Sequence, residues 1–163
     1  SQGSGGTVSG VGKYLKQKKP GVKIYTVEPS EAPIISEGKW GSHKIEGIGD
    51  GFIPQNLDLS ICDGVVTTTS NEAIETARQL ARLEGIFGGI SSGCNVAAAV
   101  KVAKKHRNLR KIVTLICDSG NRYLSTELYG PGKKAEIPER EHPLDEYTLK
   151  MREKHAARLE IIR

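Results

Sequence analysis

Residues 65–93 read VVTTTSNEAIETARQLARLEGIFGGISSG, and the order of patterns in this stretch decides the fold. Val65 to Thr68 is a run of β-branched residues, the composition of a buried strand. Ser70 can cap a helix from Asn71 to Glu84, whose apolar positions Ile74, Ala77, Leu80 and Ala81 fall on one face, and Gly85 ends it. Ile86 to Ile90 reads as a second short apolar strand, and Ser91-Ser92-Gly93 as a turn into a helix running to about His106. Strands alternating with helices of these lengths need crossovers. The expected class is α/β, a doubly wound and mostly parallel sheet with helices on both faces.

The same alternation extends in both directions. Lys111 to Cys117 is a continuous apolar run, expected as a strand buried on both faces. Upstream, Val8 to Lys19 reads as a helix stopped by Pro20-Gly21, and Val22 to Val27 alternates as a strand. Residues 29–63 carry Pro29, Pro33 and Pro54 and glycines at 38, 41, 47, 49 and 51, so an irregular stretch is expected there, and long ordered loops tend to carry function. From Pro131 the character changes to dense mixed charge with Pro138 and Pro143, followed by a helix expected from Leu144 to Ile162. The expected division is residues 1–130 as the α/β portion and 131–163 as a charged tail.

Composition narrows the function classes. With 163 residues, 37% hydrophobic and 26% charged, the chain suits one globular domain, and no apolar run approaches the roughly 20 residues of a bilayer span. The first ten residues lack the basic flank and apolar centre of a signal peptide, so the expected location is cytoplasmic. Cys62, Cys94 and Cys117 are odd in number and widely spaced, and the histidines at 43, 106, 142 and 155 show no ligand spacing; neither a disulfide framework nor a metal site is expected. The net charge of +5 is spread among acidic residues and aromatics are only 5%, so no nucleic-acid partner is expected. The only methionine is Met151, and a glycine loop of the kind at residues 3–7 normally follows a strand, so the chain is expected to be part of a larger protein.

In parallel sheets ligands bind beyond the carboxyl ends of the strands, so the polar loops that open helices carry the chemistry. Gly3-Ser4-Gly5-Gly6-Thr7 offers close backbone approach, two hydroxyls and the positive end of the following helix, a site for a phosphate. The dinucleotide fingerprint G-x-G-x-x-G is broken at Val8 and no Gly-Lys-Ser/Thr follows, which leaves a cradle for a single phosphate monoester. The plainer reading of these residues is a flexible Ser/Gly linker. Ser91 read alone is more often a helix cap than a ligand, and Asp118 at a strand end more often makes a local turn.

Four motifs occur in order: Gly3-Ser4-Gly5-Gly6-Thr7-Val8-Ser9-Gly10, Gly47-Ile48-Gly49-Asp50-Gly51-Phe52-Ile53-Pro54, Gly89-Ile90-Ser91-Ser92-Gly93 and Arg122-Tyr123-Leu124-Ser125-Thr126. Over about residues 3–130 the chain resembles the C-terminal half of the cysteine synthase (O-acetylserine sulfhydrylase) family, pyridoxal-phosphate enzymes of fold type II. The resemblance implies that Gly3, Ser4, Gly5, Gly6 and Thr7 hold the phosphate of pyridoxal 5'-phosphate and that Ser91 hydrogen-bonds its ring nitrogen. It implies that Gly47, Ile48 and Gly49 form the mobile loop at the substrate mouth. Asp118 and Ser119 stand where the family often has Pro-Ser, a departure from its pattern; beside the local turn, the alternative reading of this carboxylate is an approach to the ring through water.

The implied reaction is β-replacement: acetate leaves O-acetylserine and sulfide adds to give L-cysteine. The family's Schiff-base lysine and its substrate-carboxylate loop lie upstream, so no catalytic residue is expected in this chain, which by itself is expected to be inactive. Implied partners are the substrates O-acetylserine and sulfide, a second copy in a homodimer, and serine acetyltransferase, whose C-terminal tail enters such a cleft. Two rivals remain: a cystathionine β-synthase-like or other β-replacement enzyme, and a non-catalytic fragment that acts as a binding module.

Overall fold

The computed structural model describes residues 1–131 and 142–163; part of the charged stretch expected after Pro131, including Pro138, falls outside the described residues. Three strands, β1 (Tyr25–Pro29), β2 (Gly64–Thr68) and β3 (Glu160–Ile162), form a parallel sheet in the order β1-β2-β3. Register is continuous across it: Val27 pairs with Val66, and Val66 with Ile162.

Successive strand residues point to opposite faces, and both faces are covered. Val27, Val66 and Ile162 face a core built from α3 (Ser70–Glu84) and α4 (Ile90–Lys105). Val65 faces a second core with Ile34 and Ile35 of α2 (Ile34–Glu37), Leu57, Leu59 and Leu159, closed by Val8 of α1 (Gly6–Lys18) and by Tyr147 and Met151 of α5 (Glu146–His155). The α/β class with a parallel sheet and helices on both faces is as expected.

Several elements differ from expectation, each for a local reason. The first strand begins at Tyr25 because the Ile24 N–H is taken by the Asp63 carboxylate at 2.8 Å and the Val22 N–H by the Lys19 carbonyl. Helix α3 starts one residue early: Thr69, not Ser70, is the cap, accepting from the Glu72 N–H while Glu72 accepts from the Thr69 N–H, a capping box. Residues 86–90 form no strand; a lone bridge joins Gly88 to Ser119, and Ile90 already opens α4. Within 29–63 only α2 and a 3-10 turn at Leu59–Ile61 interrupt the loop, and α2 is anchored by buried Glu28, which accepts from the Ile35 and Ser36 N–H groups.

The strand expected at 111–117 is also absent. This segment pairs with no strand among the described residues and is exposed, Val113 to 90%. It is tethered by side chains instead: Asn95 Nδ2 donates to the Leu115 carbonyl at 3.0 Å and the Cys117 N–H to Ser92 Oγ at 2.9 Å. Asn95 also accepts from the Ser1 amino group, and the Gln2 N–H donates to the Val27 carbonyl at 3.0 Å. Residues 1 and 2 thus lie between β1 and this apolar segment.

The helix expected over 144–162 is shorter. It ends at His155, a 3-10 turn spans Ala156–Arg158, and Glu160–Ile162 joins the sheet as β3. Thr148 of α5 is fully buried and accepts from the Ile53 N–H at 2.8 Å, so these C-terminal residues share the core of the preceding ones. Among the described residues no helix is long and apolar enough to cross a membrane.

Candidate cofactor site

A cleft of about 450 Å³ opens where three loops and the start of α4 meet. From the glycine loop it takes Gly3, Ser4, Gly5 and Thr7; from the 46–51 loop, Glu46, Gly47 and Ile48; from α4, Ser91. Cys117, Asp118, Arg122 and Tyr123 close the far side. Most residues singled out in the sequence therefore converge. Gly6, Gly49 and Ser119 do not line the cleft: Gly6 is the first residue of α1, Gly49 lies behind the loop against His43, and Ser119 Oγ accepts from the Asn121 N–H to cap a 3-10 turn.

The glycine loop is shaped by two close approaches. Gly5 sits in the left-handed region at φ 82°, and a Cβ on it would lie 2.6 Å from Leu57 Cβ. A Cβ on Gly3 would lie 2.5 Å from the Gly47 carbonyl oxygen, so the phosphate-type loop and the 46–51 loop touch backbone to backbone.

Two helix N-termini border the cleft, and both lack a side-chain cap. Gly5 precedes α1 and Gly89 precedes α4, and neither helix has an acidic residue in its first turn. Of the helices away from the cleft, the longer α3 and α5 are capped by Thr69 and Asp145, while the four-residue α2 has no side-chain cap at Pro33. The positive end of α1, without a side-chain cap, therefore borders the cleft, alongside Ser4 and Thr7.

Ser91 and Ser92 are adjacent but differently employed. Ser92 is fully buried and its Oγ accepts from the Cys117 N–H. Ser91 is 7% exposed and lines the cleft, and its Oγ shows no hydrogen bond among the described residues. Its reading as a cap does not hold, since Gly89 occupies that position. Asp118 does not make the local turn expected of it either: its Oδ2 accepts from the Tyr123 hydroxyl at 2.8 Å, while Oδ1 is buried without a partner among the described residues. Burial pushes the Tyr123 phenol well above its ordinary pKa, and the bond to Asp118 adds to that, so Tyr123 stays a proton donor. A buried carboxylate oxygen without a donor costs stability unless a ligand or water supplies one.

Glu46, Cys117, Arg122 and Tyr123 were not picked out as lining residues from sequence. The last two belong to the Arg122–Thr126 motif, and their approach depends on the 3-10 turn at Gly120–Tyr123, which composition alone does not announce. The described residues lining the cleft include no lysine, and Lys44, next to the 46–51 loop, is ion-paired with Glu127 at 2.8 Å.

Comparison with known proteins adds a chemical identity to this geometry. The model of the pyridoxal-phosphate dependent enzyme family matches residues 1–118. A cysteine synthase of Buchnera aphidicola is 48% identical over 136 residues, which cover 78% of this chain and 43% of that protein. The solved cysteine synthase of Entamoeba histolytica aligns with 98% of this chain and 44% of its own, at 33% identity and a TM-score of 0.76. A hydrogen sulfide-producing enzyme of Fusobacterium nucleatum aligns with 76% of this chain and 42% of its own, at 41% identity and a TM-score of 0.72. The chain thus spans less than half the length of the curated relatives it matches.

The residues fit that family's cofactor. Its phosphate needs N–H donors and a positive helix end, which the uncapped α1 offers. Its aromatic ring needs a polar partner for a ring nitrogen, and the unengaged Ser91 hydroxyl faces the same cleft.

Proposed function

This chain belongs to the pyridoxal-phosphate dependent enzymes, and from that premise we propose that it forms the cofactor-holding portion of a cysteine synthase, making L-cysteine from O-acetylserine and sulfide. The observation that carries the reading is the single cleft on which an uncapped α1, an unengaged Ser91 and the 46–51 loop converge. Residues 1–130 carry the cofactor contacts in this reading, and in the tail Leu144, Tyr147, Met151 and Leu159 pack into the second core.

When bound, pyridoxal phosphate supplies the electron sink that lets an amino acid lose a proton and a β-substituent. The residues of this chain hold and tune it. The amides of Gly5 and Thr7, with the Ser4 and Thr7 hydroxyls, would take the phosphate, and Gly6 would serve by opening α1 behind them. Ser91 would donate a neutral hydrogen bond to the ring nitrogen. A hydroxyl brings no negative charge to stabilise a proton on that nitrogen, which suits a reaction whose leaving group carries off the electrons. Gly47 and Ile48 would leave room for the amino-acid substrate, with Gly49 behind them, and the Tyr123 hydroxyl fixes one Asp118 carboxylate oxygen while the other would take a donor from a ligand or water. Ser119 serves by shaping that turn.

The lysine that carries the cofactor comes from outside these residues, so the chain alone is inactive. Its substrates are O-acetylserine and sulfide, its setting the cytoplasm and its assembly a homodimer. In this reading the same mouth receives the C-terminal tail of serine acetyltransferase.

Similarity to the Fusobacterium enzyme favours a second reading, in which the same cleft releases sulfide from a thiol-bearing amino acid. The full-length protein, loaded with pyridoxal phosphate, separates the two when given O-acetylserine with sulfide and, separately, cysteine. Faster cysteine formation supports the first reading and faster sulfide release the second. A cofactor-loaded protein that does neither overturns both and leaves the binding-module alternative.

A further inference from the structure

The loop that lines the mouth of the cleft has alternating left-handed glycines, Gly47 at φ 79°, Gly49 at 67° and Gly51 at 93°. Glycine-rich backbone of this kind has many conformations open to it, so a defined mouth needs something to hold it. On one side the buried side chains of Ile45 and Ile48 enter the core beneath α4. On the other side stands His43. Its Nδ1 is 3.3 Å from the Ile45 nitrogen and its Nε2 3.2 Å from the Gly49 carbonyl oxygen.

A backbone N–H only donates and a backbone carbonyl only accepts, so both contacts are satisfied by one ring state alone: neutral imidazole with its proton on Nε2. The two bonds fall at residues 45 and 49 and bracket Glu46, Gly47 and Ile48, the three loop residues that line the cleft. The ring is also wedged in place: a Cβ on Gly49 would lie 2.7 Å from His43 Nε2 and 2.9 Å from Pro29 Cγ at the end of β1. Only glycine allows the ring to approach so closely.

We propose that His43 is the positioning residue of the substrate loop, its Nε2-protonated imidazole clamping residues 45 and 49 so that 46–48 keep the shape that receives the amino acid. This inference rests on the cofactor-site reading above. His43 itself does not line the cleft, so its substitution separates the shape of the loop from cofactor binding.

The test uses the full-length, cofactor-loaded protein with His43→Gln, whose amide nitrogen can reach the Nε2 position, and His43→Asn, whose side chain stops at the Nδ1 position. His43→Asn is expected to raise KM for the amino-acid substrate about three- to tenfold, the effect of one lost hydrogen bond, while kcat and pyridoxal phosphate affinity stay within about twofold. His43→Gln is expected to restore most of the loss. Two readouts need no turnover: imidazole 15N shifts of the unmutated protein should place the proton on Nε2, and amide exchange at Gly47–Gly51 should quicken in His43→Asn and slow again in His43→Gln. A proton on Nδ1, or loop exchange and KM that ignore both substitutions, overturns the proposal. Absence of turnover in every variant and in the parent would instead count against the reaction assigned above, with the shift and exchange measurements still deciding the role of His43.

Discussion

Replacing Ser91 and Ser92 by alanine, one at a time in the full-length protein, separates a ligand-directed hydroxyl from a structural one in adjacent positions. Ser92→Ala deletes the acceptor of the Cys117 N–H, a 2.9 Å bond at a fully buried side chain. Leaving that donor unpaired costs about 1–3 kcal/mol, and since Cys117 is exposed and water can replace part of the bond, the lower half of that range is expected. Ser91→Ala deletes a hydroxyl without a partner among the described residues, so unfolding free energy should stay within about 0.5 kcal/mol of the parent. The cofactor should register the opposite order. Loss of one hydrogen bond worth about 0.5–1.5 kcal/mol weakens pyridoxal phosphate binding roughly two- to thirteenfold in Ser91→Ala and little in Ser92→Ala. Urea unfolding of the cofactor-free proteins gives the first comparison and absorbance titration with pyridoxal phosphate the second. If Ser91→Ala loses stability as Ser92→Ala does and keeps its cofactor affinity, Ser91 is a structural residue and the assignment of the ring contact fails.

Two further outcomes follow from the geometry. Gly5→Ala should cost about 2–5 kcal/mol, combining the left-handed backbone with the overlap on Leu57, and should abolish phosphate binding; Gly85→Ala, at φ 67° with nothing near a Cβ, should cost only about 1–2 kcal/mol and leave phosphate binding intact. At Asp63 burial works against ionisation, yet the Ile24 N–H and the Lys16 and Lys23 ammonium groups outweigh it and hold the carboxyl below its usual range. A depressed carboxylate confers stability that is present above the unfolded value, about 3.9, and is lost as pH falls through the lower folded value. Urea midpoints should therefore drop on acidification below about pH 4, and Asp63→Asn should flatten part of that drop.

How much was legible in the sequence depended on whether a signal was local. The stretch from Val65 to Glu84 carries its own punctuation, so β2 and α3 appear almost where the pattern puts them, with the cap displaced from Ser70 to Thr69 by the reciprocal bond with Glu72, whereas the strand expected at 86–90 is absent and α4 opens at Ile90 instead. Lys111 to Cys117 has strand composition, but a strand exists only with a neighbour, and composition says nothing of whether one is present. Ile161 and Ile162 gave a β-branched signal that the longer helical pattern of 144–158 masked; pairing with the edge of β2 decided it. In the cleft, Gly3 to Thr7 and Ser91 were readable because each follows from a short motif opening a helix. Glu46 and Arg122 were not, because their approach comes from the turns that carry them. The hydrogen bonds of His43 were equally invisible: a lone histidine without ligand spacing becomes informative only once Ile45 and Gly49 are seen on its two nitrogens.

The most direct test of the central claim is a crystal structure of the full-length protein grown with pyridoxal phosphate. The account predicts the phosphate at the N-terminus of α1, held by the amides of Gly5 and Thr7, with the ring nitrogen within hydrogen-bond distance of Ser91 Oγ and the cofactor joined to a lysine outside residues 1–163. A cofactor whose phosphate lies away from residues 3–7, or whose ring nitrogen meets a group other than Ser91, would contradict it.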